Sequence, residues 1–136
     1  MKGIGVDIAS RAEIARLIER CERETLTLVF TNQEQNSCQS VSDSPAETLS
    51  DRLLYYALCF GVKEAVGKAL GSGLVGIDWN EIETDLTKAQ PVVRLYGQAK
   101  TQAQSLGIQQ WLVDWWEWQD CVLVHVLALC EEQINE

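Results

Sequence analysis

CFGVKEAVGKALGSGL, residues 59–74, crowds two lysines and a glutamate onto one helical stretch and then breaks at Gly71-Ser72-Gly73. Leu58, Val62, Ala65 and Ala69 recur at helical spacing and predict a buried face. Upstream, SPAE (44–47) reads as a helix start, with serine as cap, proline first and glutamate third. Together these signals predict one long helix over 45–70, stopped by Gly71. Glu64 and Lys68 lie four apart on it and share a face with Phe60, with Lys63 and Gly67 at the margins. As a plain helical ion pair, Glu before Lys supplies only about 0.2–0.5 kcal/mol. A glycine inside a helix costs up to about 1 kcal/mol relative to alanine, so Gly67 predicts a close approach to that face. The Gly71-Ser72-Gly73 break offers backbone N–H groups where a phosphate could lie.

Working outward, KGIGVDI (2–8) alternates Ile4, Val6 and Ile8 with Gly3, Gly5 and Asp7. It predicts a strand with a buried aliphatic face and a nearly bare second face ending in a carboxylate. SRAE (10–13) follows as a capping box, and Ile14, Leu17, Ile18 and Cys21 continue as a buried helical stripe. Ser10 fills the cap role, which leaves Asp7 available for other work. Arg16, Arg20 and Arg23 fall together on the opposite side of that helix. TNQE (31–34) is a second possible capping box, and 36–44, rich in Ser, Gln and Asn, reads as a mobile loop. Strands are expected over 78–84, 91–97 and 120–129, and a short helix over 97–107. His125, in the last of these strands, is expected as a packing residue. The order predicts a single α+β domain spanning 1–136, its largely antiparallel sheet packed against the long helix.

Composition bounds the function. The formal charge is −9, from 11 Lys+Arg against 20 Asp+Glu, which disfavours nucleic acid or an anionic membrane as the main partner. No stretch approaches the roughly 18 apolar residues of a membrane span, and the N-terminus lacks a signal-peptide pattern. Five cysteines without a CxxC pair fit reduced thiols in a cytoplasm. A phosphorylated ligand would therefore need local cations or a metal ion. Two carboxylates from separate elements beside a lysine, Asp7 and Glu64 with Lys68, suit magnesium and a pyrophosphate.

GIGVDI, followed some fifty residues later by FGVKEAVGKALGSGL, resembles the holo-acyl-carrier-protein synthase family of 4′-phosphopantetheinyl transferases. VFTNQE and WNEIETD…QPVVRLYGQA extend the likeness more softly. The resemblance implies that family's fold and transfer of the phosphopantetheine arm of coenzyme A to a serine of an apo acyl carrier protein, as in fatty acid or polyketide biosynthesis. It implies Mg²⁺ held by Asp7 and Glu64, with Asp7, Glu64 and Lys68 catalytic. Lys63, Lys68, Gly71, Ser72 and Gly73 would bind coenzyme A, Arg16, Arg20 and Arg23 would dock the acidic carrier, and the assembly would be a homotrimer.

The chain departs from the family pattern at four places. Glu13 stands where a basic residue is common, Cys59 where an arginine is usual, and Ala89-Gln90-Pro91 at a G-K-P turn. LVDWWEWQD (112–120) replaces a segment containing a histidine. The changes predict a weaker hold on the 3′-phosphate, and Trp111, Trp115, Trp116 and Trp118 either stack an adenine or fill the core or a subunit contact. The alternative expectation is a catalytically impaired homologue that binds carrier proteins or serves as a scaffold.

Overall fold

The computed structural model describes residues 2–39 and 48–130. In chain order the elements are β1 (Gly3–Ser10), α1 (Arg11–Arg20), α2 (Arg23–Leu26), α3 (Asn32–Gln39) and α4 (Thr48–Ala69). A 3₁₀ turn at Trp79–Glu81 leads into β2 (Ile82–Asp85), and β3 (Val92–Leu95), α5 (Gly97–Ser105), β4 (Gln110–Trp118) and β5 (Cys121–Leu129) complete the fold. Both sheets are antiparallel: β1-β5-β4 and β2-β3. This is the α+β arrangement expected, with the three-stranded sheet laid against α4. The SPAE start signal at 44–47 falls outside the described residues. Part of the expected loop, 36–39, is instead the end of α3.

The expected orientation of β1 is reversed. Its glycine face packs inward, because only a residue without Cβ lets α4 come so near. A Cβ built on Gly5 would sit 1.8 Å from the Ala65 carbonyl oxygen, and one on Gly3 2.1 Å from that of Ala69. The backbone of β1 therefore lies directly on the small-residue stripe of the helix. Ile4, Val6 and Ile8 point the other way and are 52, 45 and 63% exposed. On β5 the alternation runs as the pleat dictates: Val122, Val124, Val126 and Ala128 are fully buried under α4. His125 belongs to the opposite set, so it stands half-exposed on the open face and not deep in the core.

α1 is capped as expected: the Ser10 hydroxyl oxygen accepts the Glu13 N–H at 3.0 Å. Its end at Arg20 puts Arg23 on a separate short helix, so the three arginines do not form one stripe. The second capping box is complete in both directions. Glu34 N–H donates to Thr31 Oγ1 at 3.1 Å, and Thr31 N–H to Glu34 Oε1 at 3.0 Å. β4 was not anticipated, because tryptophans on both faces blur its alternation. Trp111 and Trp115 pack on the core, while Trp116 and Trp118 are exposed. All five cysteines are free thiols.

Candidate active site

Asp7 reaches the site because β1 is seated on α4. At the seventh residue the strand presents its inner face, and the side chain emerges beside the last turns of the helix. Lys68 Nζ donates to Asp7 Oδ1 at 3.2 Å and to the Val6 carbonyl oxygen at 2.8 Å. Glu64 lies one turn earlier on α4, near enough that the Asp7 charge acts on it. The structure thus gathers Asp7, Glu64 and Lys68 on one surface.

Both acids are raised from their ordinary values. For Glu64 burial is the larger cause and repulsion from Asp7 the next, with Lys68 opposing. For Asp7 burial again leads, the Lys68 hydrogen bond and charge and the Ile8 N–H pull the other way, and Glu13 adds repulsion. Glu13 is a member of this electrostatic cluster that its capping pattern did not announce. The strand-to-helix turn, which brings a residue six positions on back toward Asp7, is the signal that could have found it. One lysine against two or three carboxylates leaves the site short of positive charge. Hard oxygen donors with a negative surplus fit a divalent ion of the magnesium class, which takes one or two carboxylates and fills its sphere with water and phosphate oxygens. Asp7 and Glu64 could offer carboxylate oxygens to such an ion, while among the described residues no group of three or more His, Cys, Asp or Glu could hold a metal.

The raised acids carry a stability prediction. Between the ordinary carboxylate range and the raised one, the folded state holds more protons than the unfolded state. Stability therefore falls as pH rises through that window, and the deficit persists at pH 7. Asp7→Asn is expected to melt higher than the parent at pH 7, with the difference closing as pH is lowered to 4. Melts of both proteins at the two pH values check it.

Four of the expected ligand contacts, Lys63, Gly71, Ser72 and Gly73, are engaged within the fold. Lys63 is fully buried on the far margin of α4, and its ammonium bonds Glu34 Oε1 at 2.7 Å and the Ile82 carbonyl oxygen. Glu34 also accepts the Thr84 N–H at 2.9 Å. Lys63 is therefore an internal tie and not a ligand contact. Gly67 is small because the chain folds back over it: a Cβ there would lie 3.0 Å from the Gly73 carbonyl. The Gly71 N–H donates to Lys68 O and the Gly73 N–H to Gly67 O, each at 3.0 Å. These two N–H groups close the helix C-terminus, with both glycines at positive φ, and do not face a phosphate. The helix end also carries the negative end of its dipole, which repels anions. The Ser72 hydroxyl accepts from Gln102 Nε2 at 2.8 Å and donates to the Gly73 carbonyl oxygen, so it too is engaged within the fold.

Phe60, one turn before Glu64, stacks on Trp79 with ring centroids 4.8 Å apart. Arg11 ties α1 to the β4–β5 hairpin through Glu117 and the Gln119 carbonyl oxygen, and to α4 through Ser50 O at 3.2 Å. Two of the segments that depart from the family pattern border one groove of about 530 Å³ between β3 and β4. Gln90 and Pro91 line one side, and Leu112 to Asp114 the other. Among the described residues of that lining Asp114 is the only charged side chain.

A long helix against an antiparallel sheet is the arrangement this chain shares with acyl carrier protein synthases of known structure. A Plasmodium yoelii acyl carrier protein synthase with ADP bound superposes with a TM-score of 0.79 at 28% identity, covering 96% of each chain. The Helicobacter pylori holo-[acyl-carrier-protein] synthase in complex with coenzyme A shares the fold, with a TM-score of 0.69 at 21% identity over 93% of this chain and 99% of that one. The holo-[acyl-carrier-protein] synthase of Natranaerobius thermophilus is 33% identical over 107 residues, 78% of this chain and 79% of that one. Residues 3–122 match the sequence profile of the 4′-phosphopantetheinyl transferase superfamily, and the chain belongs to that family.

Proposed function

We propose that this chain moves the 4′-phosphopantetheine arm of coenzyme A onto a serine of an apo acyl carrier protein. The observation that carries this reading is the meeting of Asp7 and Lys68 at 3.2 Å, with Glu64 on the same surface. In the reaction the serine oxygen forms a bond to the phosphorus bearing the pantetheine arm. The bond from that phosphorus to the adenosine 3′,5′-bisphosphate breaks, and the bisphosphate leaves. Glu64, its basicity raised by burial and by Asp7, takes the serine proton. Lys68 neutralises charge on the phosphoryl oxygens. Asp7 and Glu64 would hold Mg²⁺, which when bound supplies further charge neutralisation at the pyrophosphate. The protein's share is alignment and electrostatics, as phosphoryl-type transfer requires.

Exposed Arg16 and Arg20 on α1 form a basic face for an acidic carrier, with Arg23 set apart from it at the start of α2. The open aliphatic face of the β1-β5-β4 sheet supports assembly of copies as a homotrimer. Among the described residues no helix is long and apolar enough to cross a membrane, and the free thiols suit a cytoplasmic setting.

The test is incubation with coenzyme A, Mg²⁺ and a panel of apo carrier proteins, read by intact-mass spectrometry. The expected result is a carrier heavier by one arm, with adenosine 3′,5′-bisphosphate released. Carriers of unchanged mass across the panel would leave the reading of a binding or scaffolding homologue.

A further inference from the structure

α3 and α4 meet along a seam of paired side chains. Glu34 on α3 bonds Lys63 on α4 at 2.7 Å, and further along Gln39 Nε2 donates to the Tyr56 hydroxyl at 3.0 Å. Residue numbers rise on one helix as they fall on the other, so the two run antiparallel. Between these contacts lie Cys38, one turn after Glu34, and Cys59, one turn before Lys63. Both side chains are fully buried, and their thiols are joined by a hydrogen bond. The charges of Glu34 and Lys63 also act on Cys59, as the shared seam requires. Neither thiol has a part in the transfer chemistry proposed above.

We propose that Cys38 and Cys59 form a reversible dithiol–disulfide site whose reactant is a low-molecular-weight disulfide. A protein disulfide needs two side chains aimed at each other from Cα atoms within about 7 Å. Facing positions on packed antiparallel helices supply the aim, and the contacts on either side hold the register. Thiols already in hydrogen-bond contact need only a small approach of the helices to reach the bonded separation of about 2 Å. The other three cysteines stand off this seam: Cys21 follows α1, and Cys121 and Cys130 lie at the two ends of β5.

The exchange balances in two steps. The Cys38 thiolate attacks one sulfur of the small disulfide, breaks its S–S bond and releases a small thiolate, which takes up the proton that Cys38 gave up. The Cys59 thiolate then attacks Cys38 Sγ in the mixed disulfide, forms the Cys38–Cys59 bond and releases the second small thiol. Two protein thiols are oxidised, and one small disulfide is reduced to two thiols. While the seam is shut the pair is protected. The hydrogen bond from Cys38 and then burial hold Cys59 well above the ordinary thiol range, which starves it of thiolate. Reaction therefore follows loosening of α3, a helix of only 8 residues. Once made, the bond joins positions 21 apart and stabilises the chain by restricting its unfolded state.

Incubation of the whole protein with glutathione disulfide tests this, with and without sub-denaturing urea to loosen α3. Remaining thiols are then alkylated, and the protein is digested without reduction for peptide mass spectrometry. The expected product is lighter than the reduced protein by two hydrogens, carries a cross-linked peptide joining Cys38 to Cys59, and unfolds at a higher urea midpoint. Dithiothreitol should return both mass and midpoint to their starting values. Cys38→Ala and Cys59→Ala, each checked for folding by circular dichroism, should lose the cross-link and the midpoint shift. Three results overturn the site: cross-links through Cys21, Cys121 or Cys130 in place of this pair, mixed disulfides alone, or both thiols still fully alkylatable after treatment in urea. The parent's peptide map decides the matter even where a variant fails to fold, and carrier modification plays no part in the readout.

Discussion

Glu64→Gln should reduce carrier modification by at least about 10²–10³-fold, the scale of losing one group that stabilises developing charge. The loss should fall on kcat and not merely on KM, since the substitution keeps the shape of the side chain. Two effects act together. The amide cannot take the serine proton, and one of two oxygen donors for a divalent ion loses its charge. Calorimetric titration of coenzyme A in the presence of Mg²⁺ should show the heat of binding fall toward that seen without metal. The variant should remain folded, because Glu64 is only partly buried and its charged form is already disfavoured by burial and by Asp7. Coenzyme A binding and transfer at parental levels would remove Glu64 from the site.

For Lys63→Met the effect should be on folding. Removing the ammonium leaves the Glu34 carboxylate fully buried with only the N–H groups of Thr31 and Thr84. Breaking a buried pair in this way costs about 3–5 kcal/mol, against a total stability of about 5–15 kcal/mol. The urea midpoint should drop accordingly. Adding Glu34→Gln should restore part of the loss, since the uncompensated charge is then gone. If Lys63 instead served coenzyme A directly, the single variant would bind the ligand weakly at an unchanged midpoint. The adjacent residues Lys63 and Glu64 thus separate cleanly into one that holds the core and one that serves the surface.

That separation shows where the sequence was readable. The buried stripe of α4, the Thr31–Glu34 box and the last strand followed from spacing and capping chemistry alone. The acid–acid–lysine gathering came from the resemblance and from the need for cations beside a phosphate. Alternation showed that β1 has two unlike faces, but not which one is buried. A bare glycine face suits a ligand or a helix equally well, and here the helix occupies it. Neighbouring helix positions differ by about 100°, so a shift of one residue moved Lys63 from the margin into the interior. The Gly71-Ser72-Gly73 turn looked like a phosphate cradle because unsatisfied carbonyls at a helix end are invisible in sequence. Arg23 left the first helix at Cys21, where neither glycine nor proline marks the break.

Asp7 sits on a strand whose partner, Val124, is 117 positions further along the chain. On the ribosome the first strand therefore waits, its hydrogen-bonding edge unfilled, until nearly everything else has been made. Closing so long a loop places this pairing among the slow steps of folding. A nascent chain can carry Asp7 and the whole KEAVGK helix and still lack the strand that fixes the register of β1. The first strand thus reaches its final register only when the end of the fold is in place.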